Sequence, residues 1–413
     1  MSYKLAYFKK NFLLYFLSFG HGLKHVLSSS ISVILPFIKD SLSLSGVQIG
    51  YLASANSISA GLINFPAGIL SDIYKKRVGL IIGSSALILS LGFFLVSVIS
   101  YDNWVLIGFF SFILIGAGAN LWHPPAFSVL SYKYPQKKAF ALGVHLSAAS
   151  AGNTLGPLLT GIILGGIAFN KIKIDPIEWN ELALIMSIIS LVLSLMIFIF
   201  SSKIFIESSE KINVKLYISK TVESLKKIQV ITMVALHALR QSVHSAFTVY
   251  LLIYLKEFLD FSPFKIGFYF SLIGISGILF TPIWGSVSDR IGRLPVITLG
   301  MLLTSLFIFL LRFGTDDVSL FILLLLLGCV LFAIIPVIAA AAMDFTVKGT
   351  EGTSVSLLFT GGAILGSLSP IVAGYIYDIN GFNSVIILTS ILSLIGAFIS
   401  LLGWIFFKKQ VKG

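Results

Sequence analysis

Charged residues are scarce in this chain. Asp, Glu, Lys and Arg together make up 11% of its 413 residues, whereas a soluble globular protein carries about 25%. Hydrophobic residues make up 57%, and the mean hydropathy is +0.99. This composition excludes a single soluble domain, a disordered chain and a nucleic-acid-binding protein with a basic polar face. It indicates an all-α polytopic membrane protein.

Cysteine is nearly absent as well. Cys329 is the single one and lies in an apolar run, which excludes an intrachain disulfide and a metal site built on cysteines. The sequence also lacks the paired carboxylates or His-Asp groups that an enzyme at the membrane surface would need. It therefore predicts no catalytic residue, no metal site and no cofactor, and the protein is not expected to be an enzyme.

Twelve stretches are long and apolar enough to cross a bilayer, which takes about 20 mostly apolar residues. We number them as spans 1–12. The first six are Phe12–Phe37, Val47–Leu70, Val78–Ser100, Trp104–Leu130, Phe140–Ile167 and Leu182–Phe200. The second six are Val230–Leu255, Ile266–Val287, Pro295–Leu311, Val318–Met343, Val355–Ile376 and Val385–Phe407. The polar stretch between the two sets predicts an N-terminal bundle at 1–202, a cytoplasmic linker at 203–229 and a C-terminal bundle at 230–413.

The basic residues are distributed unequally between the two sides of the membrane. With the N-terminus inside, the inner segments hold 21 Lys and Arg residues and the outer loops hold 6. The positive-inside rule then predicts that both termini lie in the cytoplasm, with the protein in the cell (plasma or inner) membrane. Lys4, Lys9 and Lys10 before the first apolar run are also typical of a signal peptide. Because eleven spans follow and no clear cleavage site is present, we interpret that run as span 1.

The two halves repeat each other at a nearly constant offset. The matching segments are His21–Lys24 with His237–Arg240 (offset 216), Gly68–Asp72 with Gly285–Asp289 (offset 217) and residues 152–157 with 366–370 (offset about 214). Many secondary transporters consist of two such repeats around a central site.

The loops after spans 2 and 8 carry a family signature. The second loop, Gly285-Ser-Val-Ser-Asp289-Arg290-Ile-Gly292-Arg293, is similar to the G-x3-D-R-x-G-R signature of the major facilitator superfamily. The first loop, Gly68-Ile-Leu-Ser-Asp72-Ile-Tyr-Lys75-Lys76-Arg77, departs from it at Ile73 and Lys75. The resemblance covers essentially the whole chain and implies two pseudo-symmetric six-helix bundles. It also implies that these loops act as a cytoplasmic latch; the alternative is that their basic residues only set the topology.

Span 5 carries a second family pattern. Its residues Gly143, Gly152, Gly156, Pro157 and Gly161 are similar to the glycine-rich signature of exporters and antiporters in the superfamily, with a threonine at 160 in place of a glycine. The alternative interpretation is close helix packing, which small residues serve in any membrane bundle.

At finer grain the chain resembles the fosmidomycin-resistance branch of the superfamily. The similarity rests on His21-Gly22-Leu23, Gly116-x-Gly118, His123-Pro124 and Gly152-Asn153, and it is stronger in the first half. That branch has polar and acidic residues where this chain has Lys24 and His25, so the resemblance does not carry over a substrate.

Ionisable residues inside the spans are the main clue to the ligand. Lys24 and Arg240 lie near the middle of spans 1 and 7, where a cation costs at least about 2.5 kcal/mol. No Asp or Glu falls in the middle of a predicted span, so a bound anion would compensate the two cations best. The candidate substrate site therefore comprises Lys24, Arg240, His21, His145, His237, His25 and His244. The sixth histidine, His123, stands beside two prolines and is interpreted as structural.

Two interpretations of these cations remain open. In the superfamily's organophosphate exchangers, basic residues on helices 1 and 7 and a histidine on helix 5 hold the substrate phosphate. Lys24, Arg240 and His145 lie on the corresponding spans, with Lys24 and His145 about one turn from the aligned positions. Alternatively, the two cations bond to backbone carbonyls and to polar side chains.

The sequence thus predicts a secondary active transporter that moves a small organic anion by alternating access, as an exporter or antiporter. It is expected to act as a monomer in the lipid bilayer and to bind no nucleic acid. Protons or a counter-transported anion are the candidate coupling partners, with histidine as the titrating group in the first case. The alternatives are proton-coupled efflux of non-anionic, drug-like compounds and an uptake symporter for a small organic acid.

Overall fold

A computed structural model describes residues 2–169, 172–207, 219, 223, 226–314, 316–345 and 351–410. Spans 1–6 are helical over Ser2–Ser41, Gly46–Ile73, Val78–Ser97, Phe109–Leu121 with His123–Lys133, Lys138–Gly165 and Trp179–Phe200. Spans 7–12 are helical over Ile228–Glu257, Pro263–Ile291, Arg293–Leu310, Asp317–Leu331 with Ile334–Asp344, Glu351–Asn380 and Phe382–Gln410. The predicted all-α architecture of twelve spans is confirmed.

Short elements connect the spans. A π-helical turn at Trp104–Gly108 begins span 4, and three-residue 3-10 turns lie at Lys75–Arg77, Pro135–Lys137 and Ser201–Lys203. The hydropathy pattern does not predict the antiparallel pair of strands between spans 5 and 6, Ile167–Phe169 with Ile172–Ile174.

The predicted linker at 203–229 lies largely outside the described residues. Its first residues follow the start of span 3, because the carbonyl of Ile204 accepts a hydrogen bond from the amide of Gly79 at 2.9 Å. The amide of Ile206 likewise donates to the carbonyl of Lys75 at 2.9 Å. These bonds hold the start of the linker on the N-terminal half.

Spans differ in how apolar they are. Among the described residues, eight helices are long and apolar enough to cross a membrane by length and composition alone. Spans 1, 2, 5 and 7 fall outside that set although each is at least 28 residues long. These four carry Lys24, Asn56, His145 and Arg240. Their lower hydropathy follows from the polar side chains that they place in the interior.

Helix packing repeats between the two halves. Span 1 packs against span 5, span 2 against span 4, and span 3 against spans 4 and 6. Span 7 likewise packs against span 11, span 8 against span 10, and span 9 against spans 10 and 12. Between the halves, span 2 contacts span 11 and span 5 contacts span 8. All of these pairs obey the same six-span shift, as an internal two-fold repeat requires.

Span 4 is broken near its middle. The helix Phe109–Leu121 ends just before Trp122, and a second helix begins at His123. The next two residues are Pro124 and Pro125, whose nitrogens cannot donate to the carbonyls of the preceding turn. The break therefore leaves polar backbone groups inside the N-terminal half.

Span 10 is broken at the corresponding place. Its first helix ends at Leu331 and its second begins at Ile334, ahead of Pro336. The amide of Ile335 donates to the carbonyl of Phe332 at 3.3 Å, so it is turned away from the Leu331 carbonyl that a regular helix would pair with it. The second half thus repeats the break of the first.

Candidate functional site

A cavity of about 250 Å³ lies between the two halves. It is lined by Asn56, Ser57, Ala60, Gly61, Asn64, Asn120, His237, Gln241, Phe359 and Ala363. Spans 2 and 4 of the first half and spans 7 and 11 of the second half contribute these residues. Three asparagines, a glutamine and a histidine make the lining polar, which suits a hydrophilic solute in the middle of the membrane.

On the span-7 side of this cavity, Gln241 connects the lining to Arg240. Gln241 accepts a hydrogen bond from Nη1 of Arg240 at 3.1 Å and donates from Nε2 to Ser245 at 3.1 Å. His237 is buried, and its Nδ1 has no partner among the described residues. The cavity wall on this side therefore holds one unpaired polar atom and an amide in contact with a buried cation.

Arg240 points toward the break in span 10. The side chain is 4% exposed, and its Nε and Nη2 both donate to the carbonyl of Leu331, at 3.0 and 2.7 Å. Its guanidinium also lies 5.7 Å from the ring centre of Phe332. The cation thus occupies the backbone acceptor that the broken helix leaves free.

Lys24 repeats this arrangement in the first half. It is fully buried, and its Nζ donates to the carbonyl of Ala119 at 2.8 Å, beside the break in span 4. A second contact joins Nζ to Nε2 of His123 at 3.1 Å. The two cations that the sequence repeat pairs therefore bind equivalent breaks, each in its own half.

Four histidines gather around Lys24. Nε2 of His21 lies 3.2 Å from Nδ1 of His123 and 3.2 Å from Nε2 of His25. The ring of His145 stacks on that of His21 with centroids 3.9 Å apart, and neither nitrogen of His145 has a partner among the described residues. His21, His25 and His145, which the sequence placed on two spans, thus form one cluster.

The structure separates the predicted site into three parts. Lys24 and three of the predicted histidines lie in the first half, whereas Arg240 and His237 lie in the second. His244 packs edge-on against Phe332, with ring centroids 5.0 Å apart. Neither Lys24 nor Arg240 is among the residues that line the cavity.

Sequence reasoning missed several residues of this region. His123 was interpreted as structural because two prolines follow it, yet its ring contacts both Lys24 and His21. The asparagines and Gln241 of the cavity carry no charge, so nothing in the sequence distinguished them from other polar residues in the spans. The one signal that could have indicated Gln241 is its position directly after the buried cation Arg240 in the sequence.

Contacts between the halves are concentrated on the side of the molecule away from the termini. Lys39 pairs with Glu257 at 2.5 Å, and Lys256 pairs with Asp40 at 2.6 Å. These two ion pairs join the ends of spans 1 and 7, and the internal repeat relates one to the other.

Hydrogen bonds reinforce this closure. The carboxylate of Asp378 accepts from the amides of Gly46 and Val47 at 2.6 and 2.9 Å, at the N-terminus of span 2. The hydroxyl of Tyr250 lies 2.9 Å from the carbonyl of Gly46 and 2.8 Å from that of Pro370. Backbones approach closely here, since a Cβ on Gly50 would lie 2.5 Å from the Pro370 carbonyl.

The glycine pattern of span 5 serves close packing on two sides. A Cβ on Gly152 or Gly156 would meet the backbone of span 1, and a Cβ on Gly161 would lie 2.5 Å from the carbonyl of Pro263 in span 8. Pro157 offers its carbonyl to the close approach of Gly267. By contrast, Gly143 has open space where a Cβ would be. Span 5 thus packs tightly within its own half and across to the other.

The loop after span 8 forms an ion-pair network. Arg293 pairs with Asp289 and, at 3.2 Å, with Asp344, and its Nη1 donates to Ser288 at 2.6 Å. Gly292 has a φ of 97°, a conformation that glycine adopts readily. Arg290 is exposed. The signature residues therefore bind one another and the end of span 10.

The loop after span 2 is less paired. Asp72 is half-buried, and this burial raises the pKa of its carboxyl while Lys75 partly offsets the rise. Lys76 and Arg77 are exposed. Both Gly68 and its counterpart Gly285 have open space where a Cβ would be. The latch role of the two loops stays a prediction.

Known proteins give the sequence a family. The profile of the Major Facilitator Superfamily matches residues 17–279 and 231–412. The fosmidomycin resistance protein of Escherichia coli is 24% identical over 381 residues, which cover 92% of this chain and 90% of that protein. An MFS-type transporter of Methanocaldococcus jannaschii is 23% identical over 90% of this chain and 93% of its own length. The hexuronate transporter of Bacillus subtilis is 29% identical over 158 residues, 34% of this chain and 31% of that protein.

Solved structures agree on the fold. A bacterial homologue of the human lysosomal transporter Spinster, in an inward-facing and unoccupied conformation, superposes with a TM-score of 0.78 at 16% identity and covers 95% of this chain and 96% of its own. The nucleoside transporter NupG gives a TM-score of 0.76 at 14% identity, with 94% of this chain and 99% of that chain covered.

The sequence resemblance is therefore confirmed at two levels. The profile covers both halves, and a relative from the fosmidomycin-resistance branch aligns along nearly the whole chain. The helix packing repeats as the fold of these transporters requires. This chain belongs to the Major Facilitator Superfamily, a family of integral membrane transporters.

Proposed function

We propose that this transporter exchanges or exports a small organic anion by alternating access. The observation that carries the proposal is the pair of buried cations, Lys24 and Arg240, on the two halves around one polar cavity. In the described part of the spans, Asp and Glu lie only toward the ends of the helices. An anion in the cavity would compensate this excess of positive charge, which an apolar environment makes costly.

Gln241 links the cavity to the charge of Arg240. Its amide lines the cavity and accepts from the guanidinium, and each η nitrogen of Arg240 carries a further N–H beyond the bonds described. Asn120, which follows the acceptor of Lys24 by one residue, lines the cavity from the first half. A solute there would contact these amides directly, and both cations would attract an anionic solute electrostatically.

The relatives' names support an anionic substrate. They mention fosmidomycin and hexuronates, which are a phosphonic acid and sugar carboxylic acids, and both are anions at neutral pH. Because carboxylates are confined to the helix ends, no carboxylic acid is available to carry a proton in mid-membrane among the described residues, and only the histidines could do so. We therefore favour exchange of one anion for another, which needs no proton.

The closed side is proposed to be the outer one. The excess of basic residues on the side of the termini favours a cytoplasmic location for both termini, and the ion pairs Lys39–Glu257 and Lys256–Asp40 would then lie on the outer side. The transporter would then be closed on its outer side. We propose that it acts as a monomer in the plasma or inner membrane.

Two other functions use the same fold. Proton-coupled efflux of non-anionic compounds would leave Lys24 and Arg240 as braces of the broken helices, a role that their carbonyl contacts support. Uptake of a small organic acid would use the same cavity with the opposite net direction. The charge of the ligand distinguishes efflux of non-anionic compounds from our proposal. The direction of net flux distinguishes uptake of an organic acid from it.

A ligand screen tests the proposed charge preference. The thermal unfolding temperature of the purified protein is measured with phosphate esters, phosphonates, carboxylates and matched neutral sugars. A ligand at 100 times its Kd stabilises a protein by about 2.7 kcal/mol, so at least one anion should raise the unfolding temperature by several degrees while its neutral analogue does not. Stabilisation by neutral or cationic compounds alone would contradict the proposal.

A further inference from the structure

Three ring nitrogens converge on one point in the first half. They are Nε2 of His21, Nε2 of His25 and Nδ1 of His123, and the three residues offer ligand atoms that all lie within 4.8 Å of one another. Two of the separations are 3.2 Å. Imidazole nitrogens at about 2.0–2.1 Å from a tetrahedral zinc ion are separated by roughly 3.3–3.4 Å. Two of the three separations thus match those of a three-histidine metal site.

In His21 and His25, the ring nitrogen that faces away from the cluster already has a hydrogen-bond partner. Metal-binding histidines almost always have such a partner. Nδ1 of His21 donates to the carbonyl of His145 at 3.0 Å, and Nδ1 of His25 donates to Oδ1 of Asn153 at 2.9 Å. A neutral imidazole with its proton on Nδ1 has a lone pair on Nε2. Two lone pairs therefore face each other at 3.2 Å, an arrangement that a cation between them would stabilise.

The third ligand is His123, for which the sequence predicts a structural role. Its Nδ1 points at the same place as the two Nε2 atoms, while its Nε2 faces Nζ of Lys24 at 3.1 Å on the other side of the ring. Because an ammonium can only donate, this contact leaves the imidazole proton on Nδ1. Metal binding would therefore move that proton to Nε2 and leave Nζ of Lys24 on the Ala119 carbonyl alone. His145 stacks on His21 without a ligand atom in the group.

We propose that His21, His25 and His123 bind a first-row divalent metal ion such as Zn²⁺. Imidazole ligands suit zinc, copper, iron and nickel, and three protein ligands leave a coordination position open. His25 and His123 are half-buried, whereas His21 is fully buried, so the open position lies on the accessible side of the cluster. The proposal departs from the prediction that the chain has no metal site, and it does not depend on the charge of the transported solute.

The second shell is part of the proposal. Asn153 fixes the proton of His25 on Nδ1, and the carbonyl of His145 does the same for His21. Partners of this kind orient the ligand and typically change metal affinity 10- to 100-fold when removed. Asn153 lies on span 5, so a bound ion would also join spans 1, 4 and 5.

Metal titration of the purified chain tests the site. Protein without an affinity tag is stripped with a chelator, reconstituted in nanodiscs and titrated with Zn²⁺ by calorimetry and with Co²⁺ by visible absorption. We expect one equivalent of Zn²⁺ per chain and the intense absorption of tetrahedral Co²⁺. His25→Asn and His123→Asn should each weaken binding by at least about 100-fold, and Asn153→Ala by about 10- to 100-fold.

Two further variants are controls. His244→Asn removes a buried histidine outside the group and should leave the stoichiometry at one. Lys24→Gln should bind Zn²⁺ at least as tightly as the unmodified chain, since it removes a neighbouring cation. The unfolding temperature of each variant verifies that it is folded. Absence of saturable binding, or equal Zn²⁺ affinity in folded His25→Asn, would show that the histidines only bind one another through hydrogen bonds.

Discussion

Replacing Lys24 or Arg240 with glutamine should weaken binding of an anionic substrate by about 10- to 100-fold. We take the attraction between the bound anion and each buried cation to be as large as a charge-assisted contact, about 1.5–3 kcal/mol, and 1.4 kcal/mol corresponds to a tenfold change in Kd. Both substitutions keep a polar side chain of similar length, so they remove the charge with little change in volume. Binding is measured by calorimetry or scintillation proximity with the anion that the ligand screen identifies.

The contacts of these cations with broken helices require a stability control. Arg240 places Nε and Nη2 on the Leu331 carbonyl, and Lys24 places Nζ on that of Ala119. If the cations only brace the breaks, both variants lower the unfolding temperature while the affinity for the anion is unchanged. Arg240→Lys keeps the charge and loses the two-atom contact, so it should be destabilised yet bind the anion better than Arg240→Gln. Arg312→Gln, an exposed residue outside the spans, is the matched control.

Replacing Gly50 with leucine should open the side of the transporter away from the termini. A Cβ at this position lies 2.5 Å from the Pro370 carbonyl, where spans 2 and 11 meet. Overpacking of this kind costs about 1–3 kcal/mol, which changes the ratio of two conformations by roughly 5- to 150-fold. Overpacking destabilises only the closed conformation, because the two spans separate at this point when that side opens.

Accessibility of the cavity from each side reports this shift. The chain has one cysteine, so Cys329→Ser gives a cysteine-free background, and Ser57→Cys then places a single thiol in the cavity wall. A membrane-impermeant maleimide should label this thiol faster from the side of the termini in the unmodified transporter. In Gly50→Leu, labelling from the opposite side should rise by at least fivefold. Gly143→Leu has open space for its side chain and should change nothing; an equal effect of both substitutions would contradict the assignment of the closed side.

The sequence predicted the membrane spans and their repeat better than the side-chain contacts inside the molecule. The spans were predictable because hydropathy is a local, additive signal, and the repeat was predictable because the two halves share residues at a 216-residue offset. The offset even paired Lys24 with Arg240, which the structure places at equivalent helix breaks. Sequence alone could not show that each cation turns toward its own half, since that depends on which backbone carbonyls lie within its reach at the breaks in spans 4 and 10.

The histidine cluster shows a second limit. The spacing of His21 and His25 puts them on one helix face. The third ring comes from span 4, where the two prolines after His123 indicate a structural role instead. Asn56, Asn64 and Asn120 are similar cases, because neutral amides in a span face lipid, a neighbouring helix or a cavity, and only the packing decides among these.

Solute exchange in proteoliposomes tests the central claim most directly. Vesicles containing the purified protein are loaded with a phosphonate, a phosphate ester or a carboxylate, and uptake of the same labelled compound is followed beside matched neutral analogues. Anion exchange predicts that at least one labelled anion accumulates only in vesicles loaded with an anion, and that Lys24→Gln and Arg240→Gln abolish this uptake. Accumulation of neutral or cationic compounds driven by a proton gradient, with no uptake of any anion and full activity of both variants, would contradict it.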